Sequence, residues 1–295
     1  MPIKTETVSE ETDLLFVIQE GLKSDKKWTD QKGRLYASTS GFCPRQTALS
    51  ITYSGFQEDS ASTTEYFKLG LAIEDVNIQA LRKQNKLLFS QYELPDIGLN
   101  LGGKVDGVYC LDEQHIKLLE IKSCGDLPDK PYPEHVAQAS IYTAICGLPI
   151  TILYSSRNVA EYSGQLLKRK FEIPFDDVYL RPYVFNMIYG KYCAESGYMP
   201  NKPVELNKEY KCGFCRFKSI CWHDKPSHLK PFDNTDESMR KLDYDVTSRA
   251  LDKTDEILDT DNIVSRRNGI LKHLYLYGSD YAHKLLDTIE WKNVV

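Results

Sequence analysis

The chain has 295 residues, 41% hydrophobic and 11% aromatic, with a formal net charge of −5. That composition supports a buried core and excludes an intrinsically disordered chain, and no apolar run approaches the ~18–20 residues of a membrane span. An acidic chain lacks the global positive charge of a general nucleic-acid binder, so any polyanion must be met by a local groove.

The start, MPIKTETVSEETDLL, is polar and acidic and does not read as a signal peptide, so a cytoplasmic protein is expected. Residues 12–22 predict a short helix. Two stretches could supply a basic groove: Lys23, Lys26, Lys27, Lys32 and Arg34 in one, Lys202, Lys208, Lys211, Arg216 and Lys218 in the other. A solvated lysine face explains each equally well. Pro44 in STSGFCPRQTALSITYSGF opens a helix, because proline is tolerated at the first helical position. Between Thr63 and Leu88 the residues Phe67, Leu71, Glu74, Ile78 and Leu81 recur at helical spacing, so one apolar stripe includes a glutamate.

LLFSQYEL, LGGKVDGVYC and HIKLLEIKS then read as strands, the last two forming a hairpin through Asp112, Glu113 and Gln114. PEHVAQASIYTAICGL is helical, with Ala137, Ile141 and Ile145 as its core stripe. PITILYSSR and LLKRKFEIPF are further strands, and FDDVYLRPYVFNMIYGKYCAESG is a helix ending at Gly197. The acidic 236–261 run is expected to be solvated surface. Arg266–Leu286 reads as a helix pair for packing or for a protein partner. There is no glycine-rich phosphate loop, so a nucleotide-driven motor is not expected, and a serine-nucleophile motif is absent.

Charge inside the hairpin carries the chemistry. Strand alternation places Glu120 and Lys122 on one face and Leu119 and Ile121 on the other, and the hairpin brings Asp106 beside them. Two carboxylates crowded in a partly buried patch repel each other, and burying either is costly. A divalent cation removes that cost: Mg²⁺ takes one or two carboxylates together with phosphate oxygens and water. Glu74 could enter as a third ligand, and Gln138 and Tyr142, one turn apart, share a helix face near the site. An ordinary cross-strand salt bridge on a solvated sheet is the rival explanation.

Cysteines supply a second constellation. Of the eight, Cys110, Cys124, Cys146 and Cys193 sit singly and read as small buried side chains. Cys212-x2-Cys215-x5-Cys221 instead places three thiols on one short loop, and Cys43 is the best fourth. Four thiolates suit Zn²⁺ or a [4Fe–4S] cluster, and His223 could complete a Cys₃His zinc site instead. Arg45, Arg216 and Lys218 could bind phosphate nearby. Tyr210, Phe214, Phe217 and Trp222 interleave with them, as single-strand stacking or cluster packing would each require. His135, three residues before Gln138, is expected at the surface; His115, His228, His273 and His283 show no ligand spacing.

The order Gly70-x-x-x-Glu74, Gly103-x-x-Asp106, Glu120-x-Lys122, Gln138-x-x-x-Tyr142 resembles the PD-(D/E)XK nuclease superfamily. More narrowly it resembles the RecB-type branch, which includes iron–sulfur CRISPR-associated exonucleases and their phage relatives. One cysteine before the core and three after it, in Cys-x2-Cys-x5-Cys, match that group. The resemblance implies an α/β, restriction-endonuclease-like core with a central mixed sheet flanked by helices, plus an iron–sulfur-clamped helical subdomain. It divides the chain into 1–62, a helical segment donating Cys43; 63–175, the nuclease core; 176–225, a helix and the three-cysteine loop; and 226–295, a helical tail. It implies Mg²⁺- or Mn²⁺-dependent hydrolysis of DNA, with exonuclease action on single strands or ends, in prokaryotic or phage recombination, repair or CRISPR adaptation. Asp106, Glu120 and Glu74 would hold metal, Lys122 would act on the attacking water, and Gln138 and Tyr142 would organise the site. Cys43, Cys212, Cys215 and Cys221 would hold a [4Fe–4S] cluster rather than Zn²⁺. The branch usually has histidine at the position of Glu74 and an acid next, here Asp75, so either acid could face the metal; the stripe favours Glu74. A homo-oligomer is compatible with this reading. The rival is a catalytically inactive DNA-binding or assembly module with structural zinc.

Overall fold

Proline at position 44 does start a helix: α1 spans Pro44–Thr52, after a short strand β1 (Leu35–Tyr36) and with Cys43 as its extended cap residue. The computed structural model describes residues 34–53, 61–95, 97–111, 115–159, 166–201, 212, 215, 217–222 and 229–288. The expected helix over 12–22, the lysines before Arg34, the turn 112–114, residues 202–211, Phe214, Arg216, His223 and His228 lie outside the described residues, as does the side chain of Trp222.

Helix α2 (Ala61–Lys83) ends before Leu88. Asn85 turns left-handed (φ 53°) and the chain then enters strand β2 (Leu87–Glu93). The segment LGGKVDGVYC is two strands rather than one. β3 (Leu101–Gly102) pairs in parallel with β1, whereas β4 (Lys104–Cys110) belongs to the main sheet. β5 (Ile116–Cys124), α3 (Pro133–Cys146), β6 (Ile150–Val159), β7 (Leu166–Ile173) and α4 (Asp177–Glu195) follow in the expected order. Then come β8 (Tyr198–Met199), α5 (Lys218–Trp222), β9 (Lys230–Pro231), α6 (Glu237–Leu258), α7 (Thr260–Tyr277) and α8 (Asp280–Thr288).

The architecture is α/β: a mixed five-stranded sheet in the order β2-β4-β5-β6-β7, flanked by helices. All neighbours are antiparallel except β5 and β6, whose parallel pairing requires a crossover through α3. That helix is buried from Val136 to Cys146. It stops at Gly147, whose left-handed φ of 67° suits glycine, and an added Cβ there would lie 2.9 Å from Ile263 Cγ2. Leu118 joins Ile141, Ile145 and Ile150 in the main core on the α3 side, while Leu119 and Ile121 join Ile78, Leu87 and Tyr109 under α2. β5 is therefore covered on both faces, which makes the charges within it informative.

The acidic 236–261 run is not merely solvated surface. Asp236 caps α6 by accepting from Ser238 N and Met239 N, and Val246, Ala250, Thr254, Ile257 and Leu258 make a buried stripe at helical spacing. α7 and α8 form the expected terminal pair, and both pack on β2. No helix among the described residues is long and apolar enough to cross a membrane.

Candidate functional site

The backbone ladder between β4 and β5 runs from Cys110 opposite Ile116 to Gly107 opposite Leu119. Beyond it the Ile121 N–H donates to Asp106 Oδ2 at 2.6 Å. A carboxylate thus takes the role of a ladder carbonyl at the point where the strands part. On β5 the next side chains toward α3 are Glu120, 3% exposed, and Lys122. Lys122 Nζ lies 2.8 Å from Glu120 Oε1.

Helix α3 holds this pair through one oriented chain of hydrogen bonds. Tyr142 OH donates to Lys104 O (3.0 Å), so its oxygen accepts from Gln138 Nε2 (2.9 Å). The amide orientation of Gln138 follows: Nε2 also donates to Glu120 Oε1 (3.0 Å), and Oε1 accepts from Lys122 Nζ (2.9 Å). Burial raises the Tyr142 phenol far above its ordinary range, which keeps it a donor.

Glu74 reaches the same centre from α2. Burial, then the charge of Glu120, raises its pKa, while a hydrogen bond from Gln91 Nε2 opposes the rise. Asp75 faces solvent and accepts from Gln79. Asp106 is raised well above the usual carboxylate range by burial, then by Glu120 and Glu74. Burial works to lower the pKa of Lys122, but the attraction of Glu120, Asp106 and Glu74 outweighs it and raises the value. Three acids and one ammonium therefore sense one another. Glu120 Oε2 is buried without a hydrogen-bond partner among the described residues. An orphaned carboxylate oxygen of this kind costs free energy unless a cation or donor meets it. No group of three His, Cys, Asp or Glu side chains among the described residues is gathered as a preformed metal cage. Mg²⁺ does not need one, since it keeps several waters and shares its shell with substrate phosphate.

Two residues at the site went unrecognised in the sequence. Gln91 sits within β2 with φ 56°, a conformation rare for a non-glycine residue, and holds Glu74. Its position within FSQYE gives no signal of this. Tyr154 lies opposite Lys122 in the β5–β6 register, accepts from Tyr132 N (3.0 Å) and is 2.8 Å from His135 Nδ1. His135 is consequently not a surface histidine: burial, assisted by the charge of Lys122, pushes its pKa down to about 3.

Cys43 lies within electrostatic reach of Cys215 and Cys221, but among the described residues no three thiols are gathered as a metal site. α1 presses against α4 at Gly190, where an added Cβ would lie 2.4 Å from Pro44 O. Tyr53 meets Phe217 edge-on at 6.3 Å. These contacts seat the start of α1 on α4 and tie its far end to Phe217 of the cysteine loop. Burial, together with the neighbouring thiols of Cys215 and Cys221, pushes the Cys43 pKa up to about 11, although backbone N–H groups oppose this. Cys212 lies on the same turn as Cys215, whose N–H donates to Cys212 O at 3.2 Å. Phe217 is 3% exposed and is a packing residue, and Arg45 is a buried tie that donates to Pro200 O at 3.0 Å rather than a solvated charge. Lys218 is exposed. Cys110, Cys124, Cys146 and Cys193 are buried thiols.

No protein-family model matches the chain. No curated protein matches it either. Among solved structures, the crystal structure of SSO0001 is similar over 71% of this chain and 93% of that one, at 17% identity and a TM-score of 0.42. At that score the likeness carries no argument.

Proposed function

We propose that the chain is a divalent-metal-dependent DNA nuclease with a restriction-endonuclease-like core of the RecB type. The carrying observation is the buried Glu120 Oε2, unpartnered among the described residues, beside Asp106, Glu74 and Lys122. Asp106 and Glu120 would hold Mg²⁺ or Mn²⁺, with Glu74 as a third oxygen donor. When bound, the cation supplies Lewis-acid charge to the phosphate and orients water.

The chain's own groups set up the rest. Lys122 stays protonated, and two of its three donor positions are used by Glu120 and Gln138. The third is available to orient water or to meet charge developing on phosphate. Lys122 therefore acts as a positioned donor and not as a base in this arrangement. Gln138 and Tyr142 fix that donor, and Gln91 fixes Glu74. Cys43, Cys212, Cys215 and Cys221 would hold a [4Fe–4S] cluster that ties the start of α1 to the loop after α4. The electrostatic influence of Cys215 and Cys221 on Cys43, together with the Cys-x2-Cys-x5-Cys spacing, supports that role.

Digestion of end-labelled linear and circular DNA, single- and double-stranded, with Mn²⁺ or Mg²⁺ tests the reading. Wild-type chain is expected to cut, and Asp106→Ala and Lys122→Ala each to lose on the order of 100- to 1,000-fold in rate. Variants that cut as fast as wild type overturn the assignment. Anaerobically purified protein is expected to be brown and to contain iron; colourless protein with stoichiometric zinc and no iron overturns the cluster.

A further inference from the structure

Helix α2 lies across the sheet on a stripe displaced from the one its periodicity suggests. Asn77 and Ile73 are buried, and an added Cβ at Gly70 would be 3.9 Å from Ser123 Cβ. One turn earlier on the same stripe, Tyr66 overhangs the end of β5 and is 61% exposed. Phe67, on the stripe that leads to Glu74, is 60% exposed. The first half of α2 thus offers aromatic rings to solvent on the helix that carries Glu74.

A cation is fixed beside the first of those rings. The Arg157 guanidinium carbon stands 5.0 Å from the Tyr66 ring centroid, and Nη1 donates to Ser123 Oγ at 3.2 Å. Ser123 directly follows Lys122. Among the described residues Arg157 has no carboxylate partner. Farther along the same sheet face, Ser123 pairs with Ser155 and Ser155 with Lys168, an exposed lysine about 10 Å from β5 across two strand spacings.

We propose that Tyr66 and Arg157 form a binding platform for single-stranded nucleic acid beside the carboxylate centre, Tyr66 stacking on a base and Arg157 meeting the adjacent phosphate. The placement rests on the nuclease reading above; the binding test does not. Single strands are the occupant because a ring can stack only on a base whose face is uncovered, and duplex base faces are covered. Charge complementarity points the same way, since Arg157 and Lys168 are positive on a chain of net charge −5.

The test is a titration of the full chain into a 2-aminopurine-labelled single-stranded DNA oligonucleotide without added divalent cation, with the matched duplex alongside. Wild type is expected to quench the probe. Tyr66→Ala should weaken single-strand binding about tenfold, and Tyr66→Phe should stay within about twofold of wild type. Arg157→Ala should weaken it and flatten the dependence on salt, while duplex binding changes little in all three. The platform is overturned if Tyr66→Ala binds single strands like wild type, or if single-strand and duplex binding fall together. Tyr66-dependent binding by a chain that cuts nothing would remove the nuclease reading and leave the platform. Asp106-dependent cutting with unaltered Tyr66→Ala binding would do the reverse.

Discussion

Leu119 and Glu120 are neighbours on β5, each 3% exposed, yet they face opposite sides of the sheet and opposite economies of burial. Leu119 lies with Ile121 and Ile78 under α2, and leaving water stabilises the fold there. Glu120 faces α3, where one of its oxygens is bonded twice and the other not at all. Equal depth therefore has opposite signs: burial of Leu119 stabilises the fold, whereas burial of Glu120 costs free energy that Lys122 and Gln138 offset at one oxygen and not at the other. Natural sites often give up stability in this way.

Substitutions on the two faces should separate those signs. The largest expected effect is on the apolar face: Leu119→Ala should lower unfolding free energy by about 2–4 kcal/mol, read as the urea midpoint at unchanged slope. Asp106→Asn keeps an acceptor for the Ile121 N–H and removes a carboxylate, so the metal-free protein should gain about 1 kcal/mol. If both changes destabilise alike, the contrast between the faces is lost.

A smaller effect concerns His135, next to the charged face. Its folded pKa of about 3 lies below the unfolded value of about 6.5. Stability from its neutral form is therefore complete above about pH 6.5 and is lost as pH falls toward 3. Between neutrality and about pH 5, wild type should lose on the order of 1 kcal/mol relative to His135→Gln. Parallel curves for the two proteins would mean that His135 is not held neutral.

The smallest expected change in stability is at Gln91. Gln91→Gly suits the left-handed backbone but removes the amide that holds Glu74. Denaturation should move by less than about 1 kcal/mol, while Mn²⁺ affinity measured by calorimetry should fall about threefold. Unchanged affinity would leave Gln91 with no part in the site.

Local pattern made much of this legible. Alternation in KLLEIKS gave the two faces of β5, and the steps from Ala137 to Ile145 gave one core stripe of α3, which is buried all round from Val136 to Cys146. Gln138 and Tyr142, one turn apart, do share a helix face, and Gln138 meets Lys122 from it. Patterns failed where a tertiary neighbour decides. Phe67 and Leu71 continue the Glu74 stripe in sequence, but α2 overhangs the sheet, so they stay exposed. Val246, Ala250 and Ile257 are too sparse among charges to stand out until α4 packs on them. The buried partner of His135 is Tyr154, which reaches it only through the β5–β6 register. At Gln91 the telling feature is a backbone angle that its own side chain does not favour.

Manganese binding, followed by electron paramagnetic resonance on chelator-treated protein, addresses the main claim without reference to any reaction. Wild type should bind Mn²⁺, and Glu120→Gln, which retains the side chain's shape, should bind it at least about tenfold more weakly. Equal binding by the two proteins would show that the buried carboxylate is not there for a cation.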